Sequence, residues 1–269
     1  MNKKILAITV IIGLLSSSLV IYEFAWSPSH TPDMNSLLTR TTTTNYAIPQ
    51  EGQRVVCIVF DDGWLTQYTN ALPILDEYNF KATFAIITDN PDKRPAYMNW
   101  NQIVTLYKQS HDIGSHTTNH LNFAKIETAS IEYQLSQSKQ DLLKHGINAT
   151  TFVYPEGEGA GNPDIEKLVQ QHYTIARGIN KEYLNMSQAF NQYALPSYTI
   201  RNSTTLETFK DYVNQADASN IVIIYYQQIS DGTVFTSVTT ENFATQMQYL
   251  YDNGFTVQPL KQLFTSVDS

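Results

Sequence analysis

Short apolar runs alternate with amphipathic stretches from residue 54 onward. The apolar runs have the length of buried strands and cover Val55–Phe60, Ala82–Ile87, Ile113–His116, Thr150–Tyr154, Tyr173–Arg177, Tyr198–Ile200 and Ile221–Tyr226, with Val257 in a last strand. Helical spacing of apolar residues predicts helices at Asn70–Tyr78, Trp100–Lys108, Ile126–His145, Pro163–Gln171, Leu206–Val213 and Phe243–Leu250. This alternation predicts an α/β fold with a parallel sheet and outer helices, either a barrel or an open doubly wound sheet.

The N-terminal residues have a different pattern. Lys3 and Lys4 precede Ile5–Tyr22, an 18-residue stretch without a charged side chain. We interpret residues 1–26 as a secretory signal peptide or a membrane anchor, and favour the anchor because no small-x-small cleavage site follows. The two lysines before the apolar stretch predict that the remainder faces outward, so an extracytoplasmic, anchored or secreted protein is expected. Residues 27–52, with three prolines, are predicted to be a flexible linker, and residues 53–266 the folded domain.

Composition restricts the choice of partners. The formal net charge is −8 and no basic stripe is present, which argues against a nucleic-acid partner. Cys57 is the only cysteine of the chain, so no intrachain disulfide can form. Because it lies within an apolar run, we expect a buried core residue rather than a reactive thiol. We expect the protein to be a monomer that contacts the membrane through its N-terminal segment.

Two polar motifs follow predicted strands. Asp61 and Asp62 end the first apolar run, and alternation along a strand would point the two carboxylates in different directions. His116 and His120 lie four residues apart, a spacing that would place both imidazoles on one face of a helical turn. With Asp62 they would provide three ligands for a divalent metal, most simply zinc, and an open position for water. His111 precedes the strand, and we expect it at the surface.

The motifs and their order resemble those of a known family. The resemblance rests on Val56–Gly63, Ser115–His120, Thr151–Gly157, Ile221–Asp231 and Glu241–Leu260, and covers about residues 54 to 264. Together they resemble the polysaccharide deacetylases, also called the NodB-homology domain or carbohydrate esterase family 4. The resemblance implies a deformed (β/α)7 barrel and metal-dependent removal of an N-acetyl group from the amino sugar of a glycan, with zinc, cobalt or nickel as the metal.

The resemblance also implies roles for particular residues. By position, Asp61 would be the general base, and Asp62, His116 and His120 would be the metal ligands. The backbone around Tyr154 would help to bind the oxyanion. Trp64, directly after the Asp-Asp-Gly turn, is equally consistent with stacking on a sugar ring and with packing over the barrel rim.

Two positions depart from the family pattern. Val153 or a neighbour stands where the family often has an arginine that orients the catalytic aspartate, and Arg177 is a candidate substitute. Gln227 stands where a histidine would act as general acid, and no histidine follows His172. Glutamine can donate a hydrogen bond but cannot deliver a proton.

The departure at Gln227 leaves several functions open. Asp61 could carry out both proton transfers, or Asp231, Glu156 or Glu158 could contribute a proton. Besides an N-acetylated glycan deacetylase, the residues are consistent with a hydrolase of the same fold that acts on another non-peptide C–N bond. They are also consistent with a carbohydrate-binding protein whose catalysis is weakened.

Overall fold

The computed structural model describes residues 52–264. The predicted signal or anchor and nearly all of the predicted linker lie outside these residues. Within residues 52–264, no helix is long and apolar enough to cross a membrane. The apolar stretch from which a span is expected, residues 5–22, lies outside the described residues.

The described residues form strands and helices in alternation. The strands are β1 Val55–Phe60, β2 Thr83–Ile86, β3 Asp112–Ser115, β4 Thr151–Val153, β5 Ile175–Arg177, β6 Leu184–Asn185, β7 Tyr198–Thr199, β8 Asn220–Tyr226, β9 Gln228–Ser230, β10 Ser237–Thr239 and β11 Thr256–Gln258. The α-helices are α1 Leu72–Glu77, α2 Trp100–Lys108, α3 Thr128–Lys144, α4 Pro163–His172, α5 Leu206–Val213 and α6 Thr240–Asp252. A π-helical turn, Gln67–Ala71, leads into α1.

The sheet is parallel except for the short β6, which pairs antiparallel with β8, and it curls into a barrel wall. Its strand order is β5-β4-β3-β2-β1-β8, and β7 pairs with β8 in parallel. The two edges are joined by the chain just before β7, where Leu195 forms a bridge to Arg177 and accepts the N–H of Gly178 at 2.9 Å. Seven strands therefore surround the interior, which is the deformed (β/α)7 barrel implied by the resemblance. The alternative of an open doubly wound sheet was wrong.

Side chains of β1 alternate between two apolar clusters. Val56, Ile58 and Phe60 belong to the larger cluster, which contains the inner faces of the helices. Cys57 and Val59 belong to a second cluster made mainly of strand residues, which fills the barrel interior. A strand buried on both faces reads as a continuous apolar run, which explains the pattern of β1. Cys57 is fully buried, as expected.

The predicted elements were largely confirmed, with three kinds of difference. β6, β9 and β10 were not predicted, because two- and three-residue strands carry too few positions for a periodicity. Helix α6 begins three residues earlier than predicted, since Thr239 accepts the N–H of Asn242 and caps a polar first turn. Residues 117–120 do not form the helical turn that the histidine spacing suggested.

His111 is buried, so its predicted surface position was wrong. Its side chain has no exposed area and packs edge-on against Phe84 at 5.3 Å between ring centroids. Its Nδ1 accepts the backbone N–H of Ala82 at 3.2 Å. Burial, and to a smaller degree the charge of Lys81, lowers the pKa of His111 to about 4.

This burial predicts a loss of stability in acid. Because an unfolded histidine has a pKa of about 6.5, the unfolded chain binds the proton first, and the free energy of unfolding falls as the pH drops from about 6.5 to 4. Between pH 7.5 and 4.5 we expect His111 to account for a loss of about 2–3 kcal/mol. Urea unfolding at both pH values should show a correspondingly smaller loss for His111→Asn, whose Oδ1 can still accept from Ala82. The exposed His145, changed to Asn, is the control; an equal loss in all three proteins would contradict the prediction.

Candidate metal centre and active site

The two adjacent aspartates at the end of β1 face different partners. Asp61 lies on the same side of the chain as Cys57 and Val59, so its side chain points into the barrel interior. Asp62 has a φ of 77°, in the left-handed region that aspartate tolerates better than most residues, and its carboxylate turns towards two imidazoles. The bent backbone therefore separates the two carboxylates, as strand alternation predicted.

Asp62, His116 and His120 form a cluster suited to a metal. Asp62 Oδ1 lies 3.4 Å from His116 Nε2 and 3.6 Å from His120 Nε2, and one ligand atom from each residue lies within 4.8 Å of the others. Zinc ligands at about 2.0–2.2 Å in tetrahedral geometry are separated by about 3.4 Å, so these donors fit such an ion. Among residues 52–264, this is the one group of at least three histidine, cysteine, aspartate or glutamate side chains that could hold a metal ion.

His116 is held in the tautomer that a metal ligand needs. Its Nδ1 lies 2.8 Å from the carbonyl oxygen of Val153, which can only accept, so Nδ1 carries the hydrogen. The Nε2 lone pair is thereby directed at Asp62 and the cluster. A partner of this kind on the far nitrogen is what usually orients a metal-binding histidine.

The loop between the histidines is kept in place by α3. Thr117 and His120 both adopt left-handed backbone angles, with φ of 69° and 64°, which explains why no helical turn forms. Buried Gln134 of α3 accepts the N–H groups of Thr118 and Asn119 at 3.1 and 3.2 Å. The imidazoles converge because of this loop geometry, and the rings pack edge to face at 4.8 Å between centroids.

Charges in the cluster shift the pKa values of its members in opposite directions. Burial alone would lower the pKa of His116, but the hydrogen bond to Asp62 and the charges of both aspartates outweigh it and raise the pKa. For Asp62, burial is outweighed by hydrogen bonds from His116 and Trp64 and by both imidazoles, which lower the pKa. For His120, burial and the charge of His116 lower the pKa. A cation bound here would compete with protons for the same donor atoms.

Arg177 makes a buried ion pair with Asp61. Its Nη2 lies 2.6 Å from both carboxylate oxygens, and neither residue is more than 4% exposed. The guanidinium also stacks on the ring of Tyr225 at 4.2 Å and donates to Ser197 Oγ at 3.3 Å. The structure thus brings the candidate substitute for the missing arginine onto the candidate base.

The segment around Tyr154 has one amide that neither the sheet nor its own turn uses. The N–H of Tyr154 itself donates to the carbonyl of Arg177 at 3.1 Å, so it is already used in the sheet. Pro155 has no N–H, while Gly157 and Glu158 donate theirs within the turn. In residues 154–158, neither the sheet nor this turn uses the N–H of Glu156, whose φ is 57°. A backbone oxyanion donor from this segment would therefore be the amide of Glu156, not that of Tyr154.

Gln227 lies close to the candidate base, directly after β8, the strand that pairs with β1. Gln67 donates through Nε2 to the carbonyl oxygens of Asp61 and Gln227, at 2.6 and 2.8 Å. The ends of β1 and β8 are thereby tied together at the candidate site. The other acids named from the sequence lie on loops: Glu156 accepts from Asn122 at 2.6 Å, and Asp231 accepts from the Thr233 hydroxyl at 2.9 Å.

A cleft of about 260 Å³ opens next to the metal cluster. Asp62 and His120 form one wall, and Trp64, Tyr97 and Arg94 contribute to the rest, together with Ile87, Asp89, Asn90 and Asn119. Aromatic rings beside amide and charged groups are the kind of surface that binds the apolar faces and hydroxyls of sugars. A second cavity of about 250 Å³ lies away from the cluster, between the loop before α5 and helix α6.

Some residues of the site were not found from the sequence. Gln134 lies within the predicted helix Ile126–His145, and Gln67 lies just before the predicted helix Asn70–Tyr78. Both are buried, and only their hydrogen bonds to distant backbone groups distinguish them from surface glutamines. Tyr97 lies in a loop without a motif. A buried glutamine on an otherwise apolar helix face was the available signal for Gln134.

Comparisons with known proteins find similar deacetylases. A family profile for polysaccharide deacetylases matches residues 49–176. A peptidoglycan-N-acetylglucosamine deacetylase of Bacillus cereus is 31% identical over 124 residues, which are 45% of this chain and 43% of that protein. The chain thus matches less than half the length of this relative.

Solved structures share the fold. A crystal structure of a peptidoglycan N-acetylglucosamine deacetylase superimposes with a TM-score of 0.57 at 17% identity, covering 82% of this chain and 93% of that one. A mutant of a carbohydrate esterase family 4 pseudoenzyme, with restored enzymatic activity, gives a TM-score of 0.54 at 16% identity, covering 80% and 69%. At these identities the similarity concerns the fold alone.

The fold and the cluster together define a class of protein. A curled parallel α/β barrel with an Asp-His-His cluster at the carboxyl ends of its strands is the arrangement of a hydrolase domain with a possible metal site. The profile that matches residues 49–176 and the similar proteins show that the chain resembles the polysaccharide deacetylase family, carbohydrate esterase family 4.

Proposed function

We propose that this protein is a metal-dependent deacetylase that removes N-acetyl groups from an amino-sugar glycan outside the cell membrane. The observation that carries the proposal is the ion pair of Asp61 and Arg177 directly beside the metal cluster. It supplies a fixed base next to a cation site, the two components that amide hydrolysis needs. The substrate named for the Bacillus cereus relative supports an N-acetylated amino sugar. The lysines and apolar stretch at the N-terminus support an extracytoplasmic location.

Asp62, His116 and His120 would hold the metal. Two imidazoles and one carboxylate suit zinc, and cobalt or nickel accept the same donors. When bound, the metal supplies Lewis-acid polarisation of the amide carbonyl and a water of lowered pKa. Glu156 would add its backbone N–H to the stabilisation of the oxyanion.

Asp61 would accept the proton of the attacking water. Arg177 contacts both carboxylate oxygens and prevents their rotation, so the remaining lone pairs keep a constant direction. Once protonated, Asp61 would be the donor nearest to the leaving nitrogen and would return the proton to it. Gln227 would then position the substrate by hydrogen bonding, because its amide cannot transfer a proton.

A second candidate function follows from Gln227. Losing a general acid typically lowers a rate by about 10²–10⁴-fold, so a glycan-binding protein with weak residual catalysis is the alternative. The presence of a base, its arginine and all three metal ligands favours the enzyme.

Acetate release tests the proposal. Purified full-length protein is incubated with N-acetylglucosamine oligomers and zinc, cobalt or nickel, with and without a chelator, beside Gln227→His. We expect the wild-type protein to release acetate with a metal and to stop when the metal is removed. Release by Gln227→His alone would favour the weakened glycan-binding protein. If neither protein released acetate with any of the metals, the proposed reaction on this substrate would be contradicted.

A further inference from the structure

Trp64 makes a direct contact with a candidate metal ligand. Its indole Nε1–H donates to Asp62 Oδ2 at 2.9 Å. We propose that Trp64 is a positioning residue that fixes the Asp62 carboxylate in the orientation that metal binding requires. The inference rests on the metal site of the proposed function and assigns a role to a side chain outside the three ligands.

The two oxygens of Asp62 are used for different purposes. Oδ2 accepts from Trp64, while Oδ1 faces His116 Nε2 at 3.4 Å and His120 Nε2 at 3.6 Å. Rotation of the carboxylate would break the hydrogen bond to the indole. Trp64 therefore leaves one oxygen for a metal and determines where that oxygen lies, as outer partners of metal ligands commonly do.

The backbone holds the indole in place. Trp64 and Tyr97 form an antiparallel bridge. The N–H of Leu65 donates to Ala96 O, and the N–H of Met98 donates to Gly63 O, each at 2.9 Å. Gly63 has a φ of 81°, and an added Cβ there would lie 3.1 Å from Ile86, so the turn into Trp64 favours glycine. The chain from Ala96 to Met98 thus clamps the turn that carries Asp62 and Trp64.

Stacking on Tyr97 limits the remaining motion of the indole. The two rings lie 4.3 Å apart between centroids, at an interplanar angle of 21°. The side chains of Asn90 and Arg94 lie beside the Tyr97 hydroxyl, so that ring is held as well. One face of the Trp64 ring is covered by Tyr97, and the indole N–H, its only side-chain donor, is bound to Asp62.

The geometry separates this role from the two earlier readings of Trp64. A residue that only packs over the barrel rim would have no reason to aim its N–H at a metal ligand. A residue that only stacks on sugar would affect substrate binding but leave the affinity for the metal unchanged. Metal affinity is therefore the quantity that distinguishes a positioning role from both.

The test compares Trp64→Phe with Trp100→Phe in the full-length protein. Phenylalanine keeps a ring to stack on Tyr97 and removes the N–H donor. Trp100 lies on helix α2, and its ring stacks on that of His145 with 3.9 Å between the centroids. Trp100→Phe is therefore the same substitution at a position outside the cluster. Zinc affinity is measured by competition with a chromogenic chelator, and the visible absorption of the cobalt-loaded protein reports the ligand geometry. Thermal unfolding of the metal-free proteins checks that each variant is folded.

We expect zinc affinity about 10–100-fold lower in Trp64→Phe, an altered cobalt spectrum and an unchanged melting temperature without metal. Trp100→Phe should match the wild type in affinity and spectrum. If Trp64→Phe destabilises the metal-free fold, Tyr97→Leu, which keeps the N–H but removes the stack, should still lower zinc affinity. Equal affinities in the wild type and Trp64→Phe would overturn the inference alone. A wild-type protein that binds none of zinc, cobalt and nickel would overturn the metal centre and this inference with it.

Discussion

Replacing Asp61 with asparagine is expected to lower the rate of acetate release by about 10²–10⁴-fold. Asparagine has nearly the same shape as aspartate, but its amide cannot accept a proton from water. Because Asp61 is not among the three residues of the metal cluster, zinc affinity should change little. The loss should appear in kcat rather than in KM, as expected for a group that acts in the chemical step.

The matched control is Asp76→Asn. Asp76 is an exposed carboxylate on helix α1 that faces Lys81 at 3.7 Å and does not belong to the metal cluster. The same acid-to-amide change there should leave acetate release unaltered. Measurements of kcat and zinc affinity on the three proteins decide the role of Asp61. If Asp61→Asn kept wild-type kcat, another group would have to be the base, and our proposal for both proton transfers would fail.

Removing Arg177 is expected to destabilise the fold by about 3–5 kcal/mol, because it leaves the buried charge of Asp61 without a partner. Arg177 is fully buried and Asp61 is 4% exposed, so water cannot replace the guanidinium. Arg177→Met keeps much of the side-chain length and removes the charge. Urea unfolding should therefore show a lower midpoint, and acetate release should fall because the carboxylate loses its fixed orientation.

A double-mutant cycle tests the ion pair directly. In Asp61→Asn with Arg177→Met, no buried charge remains, so the combined cost should be smaller than the sum of the two single costs by roughly 0.5–3 kcal/mol. Arg201→Met is the control: this arginine packs over Phe235 at 4.8 Å, and its loss should cost no more than about 1 kcal/mol. Strictly additive costs would show that the pair contributes no coupling energy.

Local sequence patterns predicted most of the elements and part of the site. Apolar runs of five or six residues located β1, β2, β4 and β8, since strands buried on both faces cannot contain many polar residues. The Asp-Asp-Gly and His-x-x-x-His patterns identified Asp62, His116 and His120, which the structure brings together. The spacing and the resemblance could identify these residues because each motif consists of residues that are close together in the chain.

Contacts between distant segments could not be predicted in the same way. His111 was expected at the surface because nothing next to it in the chain indicates that Phe84 and Ala82 cover it. The histidine loop was expected to be helical, whereas Gln134 on α3 stabilises a left-handed path. Trp64 remained ambiguous until Tyr97 and Asp62 defined the surroundings of its ring and its N–H.

The sequence by itself determined the class of fold, the three candidate metal ligands and the absence of the usual histidine at Gln227, because each depends on residue types and short spacings. Only the tertiary structure decided which arginine meets the base. Asp61 and Arg177 are 116 residues apart and lie on strands separated by β2, β3 and β4 in the sheet order. They touch because the sheet curls, so that the alternating inward side chains of β1 and β5 point at one another across the barrel interior. No local pattern records that curvature, which arises from strand twist and from closure of the wall by the chain before β7.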